Sequence, residues 1–248
     1  MARQHGIDTT QCDYIMFMDA DDMLYPRAIE VLYLEAKLGN YDMVRSSFLE
    51  EKKYSHDILK DISNTSITWS HGKIYKVEYL RKNNIRFLDG LLRNEDAYFN
   101  AIAWNGTENK GETNEITYLW RDNLESITRC RPIEEFFKEN TAEYMRSQII
   151  AMKRVYELNK NINDEFFLQT IINIYHYYNA AKFYQLDINK IDNIIMEMKN
   201  YDFLQDIFKK YNGWVYIFNN IGPGIVIKDN FLFFKETFDE WYRRLIKA

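Results

Sequence analysis

The hydrophobic pattern of this 248-residue chain changes near residue 131, and that change limits the folds open to it. Before this point, short apolar stretches alternate with turn residues. After it, apolar residues recur at helical spacing, in steps of four, three and three from Met145 and of four, three, four and three from Phe167. We therefore expect an α/β portion over residues 1–130 and an α-helical module over residues 131–248.

The first portion begins with a strand, a helix and a second strand. The apolar run Tyr14–Met18 predicts the first strand, and Pro26 is placed to open the helix. Gly39 and Asn40 end this helix and lead into the β-like stretch Tyr41–Phe48. This order indicates α/β architecture. The apolar face of the helix is expected to comprise Ile29, Leu32, Tyr33 and Ala36.

Three further helices are predicted in the second portion. Apolar residues at helical spacing mark Ile191–Met198 and Phe203–Phe208, and a last helix is expected from about Phe231 to Ile246. The cluster Gly222–Gly224 interrupts the pattern before that last helix.

Composition and charge exclude several classes of protein. Contents of 46% hydrophobic and 28% charged residues are those of a soluble globular protein, and 16% aromatics with 9 Gly and 3 Pro favour packed elements over flexible loops. A net charge of −5 argues against nucleic acid as a partner. Two cysteines, no signal-peptide pattern and no apolar run near the roughly 20 residues that span a bilayer predict a cytoplasmic protein. Such a protein can also attach to the periphery of the membrane.

Three carboxylates follow the first predicted strand directly. Asp19, Asp21 and Asp22 concentrate negative charge at its carboxyl end, where open α/β sheets bind ligands. Oxygen ligands of this kind suit a divalent cation such as Mn²⁺ or Mg²⁺. The alternative is an acidic turn that leads into the following helix, where Asp is common in any case.

A second acidic pair, Glu95 and Asp96, follows Asn94. Asn94 is suited to cap a helix, which places both acids in the first helical turn. One of the two carboxylates is then a candidate general base. The alternative is that both only stabilise the helix N-terminus through its dipole.

A polar group lies between apolar residues at Trp69–Tyr75. It contains His71 and Lys73, which are placed to line a pocket. The alternative is a structural role, since a single histidine beside an aromatic residue is common in protein cores.

These motifs, in this order, resemble family 2 glycosyltransferases with the GT-A fold. The sequence Ala2–Ile7, the strand Tyr14–Met18 and the acids Asp19–Asp22 are similar to the stretch around the family's D-x-D motif. Five further segments resemble later blocks of the family: His71–Tyr75, Asn84–Phe87, Glu95-Asp96, Tyr118–Arg121 and Ser126–Thr128. The resemblance implies that residues 1–130 form part of a GT-A, Rossmann-like glycosyltransferase domain that carries its metal and acceptor side.

The resemblance also implies roles for the acidic residues. Asp19, Asp21 and Asp22 would be cation ligands, with Asp21 the first choice for direct contact with a cation that bridges the donor's diphosphate. Asp96 would be the base that deprotonates the acceptor hydroxyl, with Glu95 beside it.

Basic residues would lie on both sides of such a site. By the same resemblance, Arg3 and Arg121 would be on the donor side, and His71 and Lys73 on the acceptor side. The implied reaction transfers a sugar, with inversion, from a nucleotide-sugar donor to an acceptor hydroxyl. A UDP-sugar is the first choice of donor, and the acceptor is a carbohydrate, a lipid carrier or a polymer.

The segments that usually open this family's domain and bind the nucleotide do not precede Asp19 in this sequence. Four explanations are open: an incorrectly assigned start, a shortened chain, a gene split over two chains, and a remnant without catalysis. The strand Tyr14–Met18 would then lack a parallel neighbour, so we expect a partner chain or self-association to cover the sheet.

Two other functions compete with sugar transfer. The first is a non-catalytic binding or assembly protein on a glycosyltransferase-derived scaffold. The second is an unrelated Mg²⁺-dependent phosphate enzyme that uses Asp19 and Asp21.

Overall fold

The chain forms two compact units, the first made of residues 1–131 and 154–162 and the second of residues 132–153 and 163–248. A computed structural model describes residues 2–51, 59–62, 67–91, 94–121, 123, 133–162 and 164–210. The Ser126–Thr128 block and the helix expected over Phe231–Ile246 therefore lie outside the described residues. That the first portion is the metal and acceptor side of a larger domain stays a prediction.

The first unit contains every strand found among the described residues. In chain order its elements are α1 (Ala2–Thr9), β1 (Tyr14–Met16), β2 (Met23–Leu24), α2 (Ala28–Leu38), β3 (Met43–Glu51), β4 (Leu59–Ile62), β5 (Lys73–Lys76), α3 (Val77–Lys82), α4 (Glu95–Asn105) and β6 (Lys110–Trp120). The predicted order of strand, helix and strand over the first portion is confirmed.

These strands form one mixed sheet. Its order is β1-β5-β3-β6-β2, with β4 paired to β3 beside this path. The β3–β6 pair is parallel, and the other pairs are antiparallel. Among the described strands, β1 pairs with β5 alone, so it lies at one end of the sheet.

The buried face of α2 differs from the predicted one. Ala28, Leu32 and Ala36 are buried, whereas Ile29 and Tyr33 are 60% and 41% exposed. Residues 28, 32 and 36 are spaced by four and form one stripe, and two of them are alanines, which allow the helix to approach the sheet closely. Leu32 and Ala36 pack there with sheet residues Val44 and Ile74.

Aromatic residues pack around the strand residue Tyr75. Phe17 and Phe99 lie 5.5 and 5.3 Å from its ring, measured between ring centroids. Phe87 stacks on Phe99 at 4.2 Å. This cluster anchors α4 and the segment after β1 to the same strand, and the site described below is formed at their ends.

The second unit is helical throughout its described residues. Its elements are α5 (Ile133–Leu158), whose last residues belong to the first unit, α6 (Asp164–Phe183), α7 (Ile188–Met196), a 3₁₀ turn (Glu197–Asn200) and α8 (Asp202–Lys210). The periodic residues predicted to face a core are buried: Met145, Ile149, Met152, Val155, Phe167, Ile171, Ile174, Tyr178 and Ala181. None of the described helices combines the length and the apolar character needed to cross a bilayer.

Candidate active site

Strand pairing in the first unit places three distant segments together. The antiparallel register Met16↔Ile74 sets the end of β1 beside the start of β5, so the acidic loop after β1 lies close to the turn that carries His71. The register Leu24↔Tyr118 adds the end of β6 to the same place.

A cluster of three potential metal ligands is formed there. Asp19, Asp22 and His71 each offer one ligand atom, and these atoms lie within 4.8 Å of one another. Two carboxylate oxygens and an imidazole nitrogen are a donor set that fits a divalent cation. The predicted acidic cluster thus supplies two of the three residues, and His71, expected on the acceptor side, supplies the third.

Asp22 is the most firmly held of these ligands. Its side chain is buried, and its two oxygens accept hydrogen bonds from the Tyr118 hydroxyl (2.6 Å) and the Arg121 backbone N–H (3.0 Å). Burial raises the pKa of Asp22, and the two hydrogen bonds act in the opposite direction. Burial and the bond to Asp22 raise the pKa of Tyr118, so its hydroxyl keeps the proton that it donates.

Asp21 lies apart from this cluster. It is exposed, and its Oδ2 atom accepts a hydrogen bond of 2.6 Å from the Asn123 amide. The assignment of Asp21 as the first direct ligand stays a prediction.

The second acidic pair lies in the first turn of α4, as predicted. Asn94 is the N-cap residue, but it makes no side-chain capping bond because its backbone is left-handed (φ 57°) rather than extended. Asp96 Oδ1 accepts the N–H of Ala97 at 2.8 Å. Burial, followed by the charge of Glu95, raises the pKa of Asp96 to about 6. A carboxyl group with this pKa can exchange a proton near neutral pH.

Arg3 links the two acidic groups. Its guanidinium forms ion pairs with Asp19 and with Glu95, the latter at 2.6 Å between Nη1 and Oε1. Burial acts to lower the pKa of Arg3, but the neighbouring carboxylates outweigh this effect and raise it. One cation therefore connects the loop after β1 to the start of α4. The predicted contact of Arg3 with a donor stays a prediction.

Lys73 is a buried amine at the start of β5. It is 1% exposed, and its Nζ atom donates a hydrogen bond of 3.1 Å to the His71 carbonyl. Burial, with the nearby charge of Arg45, lowers the pKa of Lys73 to about 7, while the charge of Asp96 acts to raise it. Arg121 reaches the site through its backbone, and its side chain is exposed. The donor-side and acceptor-side roles of these residues stay predictions.

The sequence profile described as Glycosyl transferase family 2 matches residues 1–93. Over this stretch the chain is similar to glycosyl transferase family 2. The matched residues include Arg3, the whole acidic loop and the turn with His71. The predicted resemblance to this family is therefore confirmed.

Individual relatives carry glycosyltransferase names. The poly(ribitol-phosphate) beta-N-acetylglucosaminyltransferase TarP of Staphylococcus aureus (strain N315) is 29% identical over 109 residues, which are 39% of this chain and 33% of TarP. The uncharacterized glycosyltransferase EpsJ of Bacillus subtilis (strain 168) is 25% identical over 168 residues, 60% of this chain and 48% of EpsJ. The chain thus spans about a third to a half of the length of these relatives.

A solved structure is also similar to this chain. The structure of S. aureus TarS 1–349 in complex with UDP-GlcNAc aligns with a TM-score of 0.45 at 12% identity, and it covers 96% of this chain and 71% of that one.

Tyr118 contributes to this site although no role of its own was predicted for it. Its hydroxyl donates to Asp22 and accepts the Asp19 N–H at 3.2 Å, while its ring stacks on His71 with 4.7 Å between centroids. The sequence signal for Tyr118 was its position in the block Tyr118–Arg121, which resembles a later block of the family. What the sequence does not show is the sheet order that sets this strand next to the acidic loop.

Proposed function

We propose that this chain forms the cation and acceptor side of an inverting glycosyltransferase that uses a divalent cation and a nucleotide-sugar donor. The observation that carries the proposal is a pair of acidic groups connected by Arg3. The first group contains the potential cation ligands Asp19 and Asp22. The second contains Asp96, whose pKa is raised to about 6. The match of residues 1–93 to the family 2 profile supports the same reaction class.

Asp96 is the proposed general base. At neutral pH a carboxyl group with a pKa of about 6 is mostly ionised, yet it is more basic than an ordinary aspartate. It accepts the proton of the acceptor hydroxyl as that oxygen attacks the anomeric carbon. Direct displacement from the side opposite the leaving diphosphate inverts this carbon. Glu95 lies beside the base and holds Arg3.

Asp19, Asp22 and His71 are the proposed holders of a divalent cation, Mn²⁺ or Mg²⁺. When bound, such a cation stabilises the negative charge that develops on the departing diphosphate. The Tyr118 hydroxyl and the Arg121 N–H fix both oxygens of Asp22, so this ligand is oriented in advance.

The proposed donor follows from the chemistry of the leaving group, and the first acceptor to test follows from the name of one relative. A diphosphate leaving group implies a nucleotide-sugar, with UDP-sugars as the first choice. A carbohydrate, a lipid carrier and a polymer all offer the required hydroxyl. Because TarP is named for transfer to poly(ribitol phosphate), a ribitol phosphate oligomer is the first acceptor to test.

Calorimetry and a transfer assay test this function. We expect UDP to bind in the presence of Mn²⁺ when this chain is joined to the nucleotide-binding segments that usually open the family's domain, and to lose its affinity after treatment with EDTA. A panel of UDP-sugars is then offered with the ribitol phosphate oligomer, an oligosaccharide and a lipid-phosphate acceptor, and UDP release is measured. Binding of UDP that ignores the cation, together with full transfer by Asp96→Asn, would overturn the proposal.

An assembly role has its own support on α2. The outward side chains of Ile29, Leu34 and Leu38 are 60%, 56% and 86% exposed, which is unusual for large apolar residues on one short helix. We propose self-association through this helix as the alternative function. Light scattering on the chain and on Leu38→Lys tests it: a dimer that the substitution dissociates supports assembly, and a monomer in both cases excludes it.

A further inference from the structure

Two tryptophans beside the candidate site are only partly buried. Trp69 precedes the turn that carries His71, and Trp120 is the last residue of β6. The centroids of the two indole rings are 5.5 Å apart, with 44° between their planes. Each ring also contacts the His71 imidazole, at 6.5 and 5.0 Å between centroids. Because tryptophan combines a large apolar surface with a polar N–H, a partly exposed pair of this kind is typical of a binding surface.

Buried aromatic side chains hold this pair in place. Phe48 is 1% exposed, and its ring meets that of Trp69 edge to face at 6.0 Å. The His71 ring is 5% exposed and lies nearly parallel to Trp69, with 8° between the two planes. Tyr118 in turn stacks on His71 at 4.7 Å. The indoles are therefore oriented before a ligand arrives, so little side-chain entropy is lost on binding.

Trp69 is linked to both acidic groups of the site. His71, which belongs to the cation cluster, follows Trp69 by two residues. The side-chain amide of Asn100 donates a hydrogen bond of 3.1 Å to the carbonyl of Thr68, the residue before Trp69. Asn100 comes one turn after Asp96 on α4, so the two lie on the same face of this helix. A ligand that rests on Trp69 therefore lies between the proposed base and the proposed cation ligands.

A pyranose ring is the ligand whose shape and chemistry fit the two indoles. The hydroxyl groups of such a ring lie around its rim, so its two faces present C–H groups. These groups carry partial positive charge and are attracted to the negative face of an aromatic ring. In a β-linked ring of gluco configuration every ring hydrogen is axial, which leaves both faces open for stacking. An acyclic alditol such as ribitol has no rigid face of this kind.

We propose that Trp69 and Trp120 form a stacking platform for a pyranose ring of the acceptor, which makes the acceptor an oligosaccharide and not an acyclic polyol phosphate. The inference rests on the proposed function and deepens it, because it names the acceptor class of that site. In the competing arrangement the two indoles only enclose His71 and contact no ligand.

Saturation-transfer NMR on the chain, with EDTA and without nucleotide, tests the platform. Cellotetraose, chitotetraose and a ribitol phosphate tetramer are added separately, and the aromatic protons of the protein are irradiated. We expect saturation of the ring C–H protons of at least one tetrasaccharide, and much weaker saturation of the ribitol phosphate. This wild-type measurement does not depend on any variant folding. Saturation of the ribitol phosphate that equals or exceeds that of the tetrasaccharides, or no saturation of any ligand, would overturn the inference.

The same experiment with UDP-GlcNAc separates an acceptor platform from a donor platform. A nucleotide-sugar also carries a pyranose ring, so both substrates offer the chemistry that stacks on an indole. We expect the tetrasaccharide to be saturated equally with and without UDP-GlcNAc. Displacement of the tetrasaccharide by UDP-GlcNAc would assign the platform to the donor sugar and overturn the inference.

Calorimetry with the bound tetrasaccharide assigns the contact to the two indoles. Trp69→Leu and Trp120→Leu remove the flat ring, and each should weaken binding by about five- to tenfold. Trp69→Phe keeps an aromatic ring and should recover part of this loss. The matched control is Tyr156→Leu, which removes an aromatic ring that is 36% exposed on α5 and should bind as the wild type does. Unchanged affinity in both tryptophan variants, or an equal loss in Tyr156→Leu, would overturn the inference.

These measurements are independent of transfer activity. A tetrasaccharide that stacks on the two indoles of a chain without transferase activity would support the inference and count against the proposed function. Sugar transfer to ribitol phosphate alone would support the proposed function and overturn the inference.

Discussion

The two acidic groups of the site are supported in different ways. Asp22 accepts hydrogen bonds at both oxygens, from Tyr118 and from the backbone of Arg121. Asp96 accepts one bond, from Ala97, and burial raises its pKa to about 6. Hydrogen bonds to a carboxylate favour its ionised form, and burial opposes it. The comparison teaches that fixed orientation and proton exchange can be divided between two acidic groups that one arginine connects, through Asp19 in the first and Glu95 in the second.

Removal of the proposed base is expected to have the largest effect. Asp96→Asn keeps the shape of the side chain but cannot accept the acceptor's proton, so the transfer rate should fall by about 10²–10⁴-fold. Affinity for Mn²⁺ should not change. The control is Asp89→Asn, an exposed acid in the preceding turn, which should transfer at the wild-type rate. If Asp96→Asn lowers the transfer rate only modestly and also weakens Mn²⁺ binding, Asp96 is not a base that acts separately from the cation ligands.

Two substitutions in the acidic loop distinguish the structure from the family resemblance. Asp22→Asn is expected to weaken Mn²⁺ binding by about 10–100-fold, because it removes the charge of the best-oriented ligand. Asp21→Asn should have a small effect if the cation lies in the Asp19, Asp22 and His71 cluster. Calorimetry with Mn²⁺ on both variants shows whether Asp22 or Asp21 binds the cation. If Asp21→Asn causes the larger loss, Asp21 is the direct ligand.

The pH dependence of transfer should report Asp96. The base must be ionised, so kcat/KM is expected to fall about tenfold for each pH unit below about 6. The charge of Arg3 acts to lower the pKa of Asp96, so Arg3→Met should move this limb to higher pH. A profile that stays flat down to pH 4.5 would show that another group accepts the proton.

Asp96 should also limit the stability of the fold. Its pKa is higher in the folded chain than the ordinary value of 3.8, so the folded state binds the proton more tightly. The free energy of unfolding therefore falls as the pH rises from about 4 to about 6. Asp96→Asn should stabilise the chain by about 1–2 kcal/mol at pH 7.5 and by little at pH 4. Chemical denaturation at both pH values measures this, and equal effects at both would exclude the explanation.

Arg3 is expected to give the smallest effect. Its ion pair with Asp19 competes with a cation for the same carboxylate, so Arg3→Met should raise Mn²⁺ affinity by about two- to fivefold, as expected for a partly exposed pair. Arg86→Met, which loses a pair with Asp8 instead, is the control. A lower Mn²⁺ affinity in Arg3→Met would mean that Arg3 holds Asp19 in place for the cation.

Local patterns predicted the elements of the fold well. The steps of three and four in α5 and α6 identified residues that are buried, since helical periodicity depends only on neighbours in sequence. The order of the strands could not be predicted in this way. The position of β5 between β1 and β3 depends on pairing between distant segments, and no turn in the sequence specifies it. On α2, Leu32 and Ala36 are buried as predicted, whereas Ile29 and Tyr33 are exposed because the stripe that faces the sheet runs through Ala28 instead.

The site shows the same limit. The acids of the loop and of α4 were identified because they cluster in sequence, and His71 was identified with a different expected role. Its closeness to Asp22 follows from the pairing of β1 with β5. The apolar residues on either side of Lys73 predicted a pocket, but its nearly complete burial was not predicted, since lysines are rarely buried.

The shared arginine has a consequence for the response to salt. Asp19, Glu95 and Asp96 set more negative charge around Arg3 than one guanidinium can neutralise. Such an excess attracts dissolved cations over roughly a Debye length, which is about 8 Å at physiological ionic strength. Added potassium chloride screens this attraction without entering the ligand cluster. Occupancy of the site should therefore fall with rising salt even at a fixed concentration of the dication, so the ionic composition of the surroundings becomes part of its control.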